Sequence, residues 1–446
     1  ARCDYQINLE KAEMLQPSVE FTAQTVLSKN TPYTQQRHIT IPENMPYSQP
    51  YWLAEIPQAG VYTVEDQALI GQPQLPSWLQ MRFVFTIDGT EIPYTKPVQY
   101  KWLDQRDGEK FGDVVVVPPV TVQFDEKVHV FSTADPAEIR VTVKSNVAQA
   151  TGEVKLVAPA KWQVSSGQKF DLAAKYAEQS FLFTVQPPHA ADIATISAIA
   201  FFQGQQYNRT QITIDYEHIP VQTVLQAAEL KNVRVPLERR KKLLGYIAGA
   251  GDEIPANLRS IGYEVTMLSE TDLEKTDLSQ FDAIIAGVRV YNTRPELKQK
   301  NTRLMDYVKN GGTYVVQYNT SYALVTEAIG PYPITLSHDR ITLEDAPMAF
   351  LDKEHPVFNR PNKITSEDFS GWVQERGLYF PNKWDTHYQP LLAGNDPGEA
   401  PTKGSLLYSA YGKGVFIYTG LSFFRELPAG VPGAYRLFVN LIEAAK

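Results

Sequence analysis

Leu243-Leu244-Gly245-Tyr246-Ile247-Ala248, halted by Gly249-Ala250-Gly251-Asp252, opens the stretch that decides the fold of this chain. Helical sequence around Pro255-Ala256-Asn257-Leu258 follows, then Tyr263-Glu264-Val265-Thr266-Met267-Leu268 and Asp282-Ala283-Ile284-Ile285-Ala286. A further helix ends near Tyr307-Val308-Lys309-Asn310, before Gly312-Thr313-Tyr314-Val315-Val316-Gln317. Short apolar runs with helical patterns between them predict a parallel sheet covered on both faces. Ser260-Ile261-Gly262 and Asn310-Gly311-Gly312 carry the glycines that stop helices. The expected unit is a doubly wound α/β domain over residues 242–446, with ligands taken at the C-terminal ends of its strands.

Working outward, residues 1–127 and 128–219 read as two all-β sandwiches, and residues 220–241 as a linker. The first holds Ser18 to Ala23, Arg37 to Ile41, Val114 to Val117, and Met81 to Ile87 ending at the hairpin signal Asp88-Gly89. The second holds Glu138 to Val143, Gly152 to Leu156, Phe181 to Val185 and Gln211 to Tyr216. The basic run Arg239-Arg240-Lys241-Lys242 is taken as solvated linker. Beyond residue 320, strands are expected at 372–380, 405–408 and 415–419, and a closing helix at 433–445. The long aromatic loops between them point to function.

The 446 residues carry 42 basic and 50 acidic side chains, a net charge of −8 that argues against nucleic-acid and anionic-membrane partners. No apolar run approaches the ~18 residues of a membrane span. The start at Ala1 has neither methionine nor a hydrophobic signal core, so a processed product or part of a longer chain is expected. Cys3 is the single cysteine, which leaves no internal disulfide and no cysteine zinc cluster.

The strand ends carry the candidate chemistry. Gly249-Ala250-Gly251-Asp252 begins like a dinucleotide fingerprint, but Ile254 stands where the third glycine is required, so a plain strand-to-helix turn is favoured. The seven histidines fall at none of the spacings that place two imidazoles on one helix face, and no metal or cofactor is expected. Ser321 lacks a recognisable base or orienting group in the sequence, leaving a turn hydroxyl as the simpler reading. Arg289, Tyr291, Asn292, Tyr318, Asn319, Glu375, Arg376 and Arg425 lie in segments expected to converge, with Asp252, His355 and Trp384 beside them. Arginine and carboxylate next to aromatic faces are what a sugar or other polar ligand requires.

The same residues carry resemblances. Leu156 to Trp162 with Phe181 to Pro188 resembles the immunoglobulin-like domains appended to secreted bacterial glycosidases. Tyr47 to Leu53, Tyr246 to Asp252, Tyr291 to Thr293, Val316 to Thr320, Gly371 to Gly377 and Leu427 to Gly433 resemble the C-terminal region of large PIG-L (LmbE-like) deacetylases of Bacteroidota-type bacteria. Glu354-His355-Pro356 and Tyr411-Gly412-Lys413-Gly414 resemble the trehalose-utilisation (ThuA-like) branch of the flavodoxin-like glutamine amidotransferase fold. The PIG-L catalytic motif A-H-P-D-D-E and its later histidine pair are absent, so no zinc ligand carries over. The resemblance implies a non-catalytic accessory region of an exported, periplasmic or secreted amino-sugar deacetylase, with the upstream deacetylase domain as partner. An amidotransferase would place its cysteine after Gln317, where this chain has Tyr318-Asn319-Thr320-Ser321. Asn319 is therefore expected to sit on a strained turn and bind ligand. Two other readings stand beside this one. One is an independent hydrolase or isomerase using Glu375 or His355 as base and Arg425 as charge stabiliser; the other is a dimerisation scaffold.

Overall fold

The computed structural model describes residues 4–42, 44–58, 60–73, 75 and 77–445. Cys3 lies outside the described residues. The chain is mostly β-structure, arranged in several sheets. Among the described residues no helix is long and apolar enough to cross a membrane, which says nothing of strands.

The first region is not the expected sandwich. Ile7–Met14 pairs with Val19–Phe21, Thr25–Leu27 and Gln80–Ile87, and Gln80–Ile87 pairs with Thr90–Pro97, in one five-stranded antiparallel sheet. Asp88 and Gly89 both take positive φ, 49° and 76°, giving the tight hairpin their sequence signals. Up to residue 113 only Leu9, Ala12, Met14, Leu79 and Val84 are buried apolar side chains among the described residues. That is too little to weld two sheets. Arg37 to Ile41 and Val114 to Val117 form no strand.

The second region is a sandwich, with wider limits than 128–219. One sheet runs Gln163–Val164, Glu178–Gln186, Ala137–Ser145, Val120–Phe124. The facing sheet runs Gln168–Leu172, Ala150–Val157, Asp192–Phe202, Glu229–Arg234, Val128–Phe131. Alternate residues of Glu178–Gln186 point inward, and Val141, Phe183 and Ile196 fill the space between the sheets. Val120–Phe124 and Glu229–Arg234 thus belong to the sandwich: the first pairs with Ala137–Ser145, the second joins Asp192–Phe202 to Val128–Phe131, and both bury valines or leucine.

The third region is built on a seven-stranded sheet. Its strands are β1 (Leu243–Ile247), β2 (Glu264–Met267), β3 (Ala283–Ala286), β4 (Thr313–Val316), β5 (Gln389–Pro390), β6 (Leu406–Tyr411) and β7 (Gly414–Thr419). The order is β2-β1-β3-β4-β7-β6-β5, parallel through β7 and antiparallel beyond it. Helix α1 (Ile254–Ser260) connects β1 to β2, α2 (Leu297–Lys309) precedes β4, and α3 (Pro432–Ile442) closes the chain. Between β4 and β6 a long insertion pairs Ile334–Ile341 with Gly377–Trp384, and Met348–Phe350 with Leu392–Gly394.

The joint before β1 is not a free linker. Glu443 accepts from the Arg240 and Lys241 backbone amides at 3.0 and 2.9 Å, and Lys241 Nζ donates to Thr313 and to the Ile442 carbonyl. Burial pushes the Lys241 amine down to about 8. Val130, Val233 and Val235 of the sandwich share one apolar cluster with Leu258 and Ile261, so the two regions pack directly.

Gly433, the second residue of α3, shows how tightly the insertion seats. A Cβ there would fall 1.9 Å from the Asp368 carbonyl oxygen. Alanine normally favours a helix over glycine by about 1 kcal/mol. We expect the opposite sign for Gly433→Ala, a loss of about 1–3 kcal/mol from overpacking, measured by urea unfolding.

Candidate functional site

The C-terminal ends of β1, β3, β4 and β7 lie along one sheet edge, under the insertion. Four non-glycine residues on these exits and on the insertion above them take left-handed backbone: Arg289 (φ 58°), Ala323 (φ 54°), Gln374 (φ 68°) and Tyr379 (φ 53°). Such conformations cost roughly 1–3 kcal/mol each and concentrate where geometry serves function. Arg289 is held there by its amide, which donates to the Tyr318 carbonyl at 2.8 Å.

Aromatic rings join around them. Tyr318 stacks on Tyr379 with centroids 6.1 Å apart and planes within 10°. Phe424 leans on Tyr318 at 5.2 Å, while His338 lies 5.7 Å from Tyr379 and Tyr322 lies 6.3 Å from it. Arg425 sits over Phe424 and donates from Nε to Glu375 at 3.1 Å. Burial pushes the Tyr318 phenol up, while the charges of Arg289 and Arg425 oppose that rise. A depression of about 460 Å³ lined by Asp252, Gln374, Phe424 and Arg425 lies beside this rim. A separate groove of about 720 Å³ is lined by His338, Asp339, Arg340, Trp384 and Lys403. A depression of about 800 Å³ on the sandwich, at Gly152, Lys169 and Asp171, is an open strand edge without comparable convergence.

The structure brings Arg289, Tyr318, Glu375 and Arg425 into neighbouring positions, Tyr318 itself buried behind Tyr379 and Phe424, and Trp384 lines the groove at His338. The other candidates are buried or bonded to nearby groups, although Asp252 also lines the depression. Tyr291 is fully buried, its hydroxyl donating to Asn301 at 2.7 Å and meeting the Tyr314 hydroxyl at 3.0 Å. Asn319 is also fully buried: its Oδ1 accepts from the Tyr291 amide at 2.8 Å and its Nδ2 donates to the Gln317 carbonyl at 2.9 Å. The expectation that Asn319 binds ligand from a strained turn is overturned, since its amide is consumed by backbone and its φ is not positive. Arg376 is buried, donating to the Ala346 carbonyl at 2.9 Å and to that of Phe369, between the Phe369 and Trp372 rings. Burial pushes it down to about 10, still charged at neutral pH.

Asn292 clamps the Thr320–Tyr322 turn through its amide, accepting from the Thr320 amide at 2.9 Å and donating to the Tyr322 carbonyl at 2.9 Å. Asp252 accepts from the Tyr246 hydroxyl and the amides of Ile254 and Val288, which makes it a brace for the β1 exit. Gly249, where a Cβ would meet the Val288 carbonyl at 2.1 Å, serves that same turn. His355 accepts from the Val357 amide at 3.3 Å, packs against Tyr408, and is pushed down by burial. It makes no hydrogen bond or ion pair with Glu375, so the acid–base pairing of these two is not assembled.

Sequence reasoning missed Tyr322, His338, Tyr379 and Glu426. His338 and Tyr379 lie on paired strands of the insertion, and only that pairing reveals them. Ser321 Oγ lies 3.4 Å from His338 Nε2, a long contact, and no other side chain hydrogen-bonds that imidazole among the described residues. No group of three or more histidine, cysteine, aspartate or glutamate side chains comes together among the described residues to hold a metal.

Glu426 is the most displaced titratable group beside the rim. It is fully buried, its Oε2 accepts from the Val373 amide at 2.9 Å, and its Oε1 has no partner among the described residues. Burial raises it to about 8 despite the neighbouring Arg376 and Arg425. Between the ordinary value near 4.5 and about 8, the folded chain holds one more proton than the unfolded chain. This group therefore makes stability fall as pH rises through that window. Replacing it with glutamine should make the chain progressively more stable than wild type between pH 5 and pH 8.5, by a few kcal/mol at most, in paired urea titrations.

No protein-family model and no curated protein matches the sequence. Among solved structures, the chain is similar to the exo-β-1,4-mannosidase Op5Man5 from Opitutaceae bacterium strain TAV5, with 15% identity and a TM-score of 0.29 over 46% of this chain and 36% of that one. It is similar to a family 123 glycoside hydrolase from Clostridium perfringens at 9% identity and a TM-score of 0.18, covering 49% of this chain and 42% of that one. It is similar to Escherichia coli alpha-2-macroglobulin at 13% identity and a TM-score of 0.19, covering 26% of this chain and 17% of that one. The chain thus spans well under two thirds of the length of each of these proteins. Likenesses at this level carry no argument about function.

Proposed function

We propose that this chain is a non-catalytic binding and positioning region that takes a polar, glycan-type ligand at the strand ends of its C-terminal unit. In this reading that unit is a doubly wound domain of the flavodoxin/amidotransferase type which lacks the nucleophile. The observation that carries the reading is the convergence of stacked tyrosines with Arg289 and the Arg425–Glu375 pair on one edge of a parallel sheet. Aromatic faces accept the C–H faces of sugar rings, and fixed charged groups bind hydroxyls. On the resemblance of Gly371 to Gly377 and Leu427 to Gly433, we further propose an accessory role beside the catalytic domain of an exported PIG-L-type deacetylase.

A second reading, a hydrolase, is favoured by the Ser321–His338 contact at 3.4 Å. It lacks the group that would orient the imidazole.

A glycan array probed with the whole chain tests both. Binding should weaken by more than about 1 kcal/mol in Arg425→Ala and in Tyr322→Ala, as for aromatic and arginine anchors of other interfaces. If detected binding is unchanged in both variants, the strand-end site is wrong. Ester hydrolysis that disappears in Ser321→Ala would replace the binding reading with the hydrolytic one.

A further inference from the structure

Three arginines lie on the segments that carry the Tyr318–Tyr379 stack, and they are not equivalent: the Arg289 amide bonds the Tyr318 carbonyl, Arg340 is on the strand paired with that of Tyr379, and Arg425 lies over Phe424. Arg425 is committed to Glu375 at 3.1 Å. Arg340 is exposed and near Asp396, whose oxygens already accept from Thr342 and Leu343. Arg289 is half-buried, and its guanidinium makes no hydrogen bond or ion pair with any described residue. Its Nε is fully buried without a partner. Among described residues, Glu375 is taken up by Arg425, and no carboxylate pairs with Arg289; Asp339 and Glu399 face the neighbouring groove at His338.

A buried guanidinium nitrogen without an acceptor is costly, and a conformation that holds it there in left-handed backbone adds to the cost. Nε itself is out of reach of an incoming group, but the two terminal nitrogens are not sealed off and have no protein partner, so they stand open to an oxyanion. The guanidinium fork matches carboxylates and sulfate-type groups bidentately, which sets it apart from a lysine. Half-buried Tyr379 and exposed Tyr322 offer aromatic faces next to it, while Tyr318 is buried behind Tyr379 and Phe424.

Resting on the binding reading above, we infer that the ligand is an acidic saccharide, whose carboxylate or sulfate group docks on the Arg289 guanidinium while a ring lies against Tyr379 and the exposed Tyr322. Arg289 then discriminates acidic from neutral sugars, and Arg425, held by Glu375, contacts hydroxyls.

The test is calorimetric titration of the whole chain with trigalacturonic acid, a sulfated galactan trisaccharide and neutral galactotriose, at low and at raised sodium chloride. Acidic trisaccharides should bind more tightly than the neutral one and weaken with salt. Arg289→Ala should lower the acidic affinity roughly ten- to a hundredfold and leave any neutral affinity within about twofold, since hydrogen bonds to charged groups carry that scale of energy. Arg289→Lys, which keeps the charge and loses the fork, should recover only part of it. The carboxylate and sulfate arms separate the two sources of the oxyanion. Unchanged melting temperature and near-ultraviolet circular dichroism in Arg289→Lys exclude misfolding as the cause. Equal binding of neutral and acidic sugars, unaffected by either variant, overturns the inference while the binding reading survives. Acidic preference that persists in both variants overturns the role of Arg289. Binding of none of the three overturns the inference and the glycan reading together.

Discussion

The buried guanidinium of Arg376 is the constraint on which the strand-end architecture rests. A cation removed from water must have its donors satisfied, and Arg376 does this by reaching two carbonyls of the insertion, Ala346 and Phe369. Its own backbone links the other direction: its amide donates to Ile341 and its carbonyl accepts from Ser422 at the exit of β7. The insertion, the last parallel strand and the short helix Phe423–Glu426 are thereby held in one register. Arg425, Glu375 and the Tyr318–Tyr379 stack take their places from that register, and Glu426 is buried beneath it.

Much of the sheet was legible because its strands are continuous apolar runs. Residues 243–247, 283–286, 313–316 and 414–419 are buried along nearly their whole length, which is what a strand covered on both faces requires. The first region misled because β-branched segments such as Val114 to Val117 satisfy a strand pattern without a neighbour to pair with. At the site, residue type alone could not separate a binder from a brace. Asn319, Asn292 and Arg376 have the chemistry of ligand contacts, but each is spent on nearby backbone groups whose positions no sequence pattern reveals. Tyr291 looked like a rim aromatic and is instead packed between α2 and the sheet, bonded to Asn301. His338 and Tyr379 could have been found only from the pairing of Ile334–Ile341 with Gly377–Trp384, a contact between residues some forty positions apart.

The sandwich is more than a spacer. Lys231 on one of its strands donates from Nζ to the Ala429 carbonyl at 2.7 Å, three residues beyond Glu426. Val128 closes on Gly430, whose φ of 66° lets the chain turn beneath it. The loop after Phe423–Glu426 is thus fixed from two sides, by the insertion and by the sandwich. Displacement of either would be felt at Arg425.

The left-handed residues Arg289, Ala323, Gln374 and Tyr379 bear on the entropy of recognition. Loops that are free in solution must be ordered when a ligand arrives, and that ordering subtracts from affinity. Here the rim's ordering has been met during folding, in conformations that an unconstrained chain rarely visits. On the proposed binding reading, a ligand entering such a rim meets backbone that is already ordered, so little of its interaction energy is diverted to arranging these loops. The same economy narrows the range of shapes accepted, because a rim fixed in sparse backbone states has few alternatives to adopt.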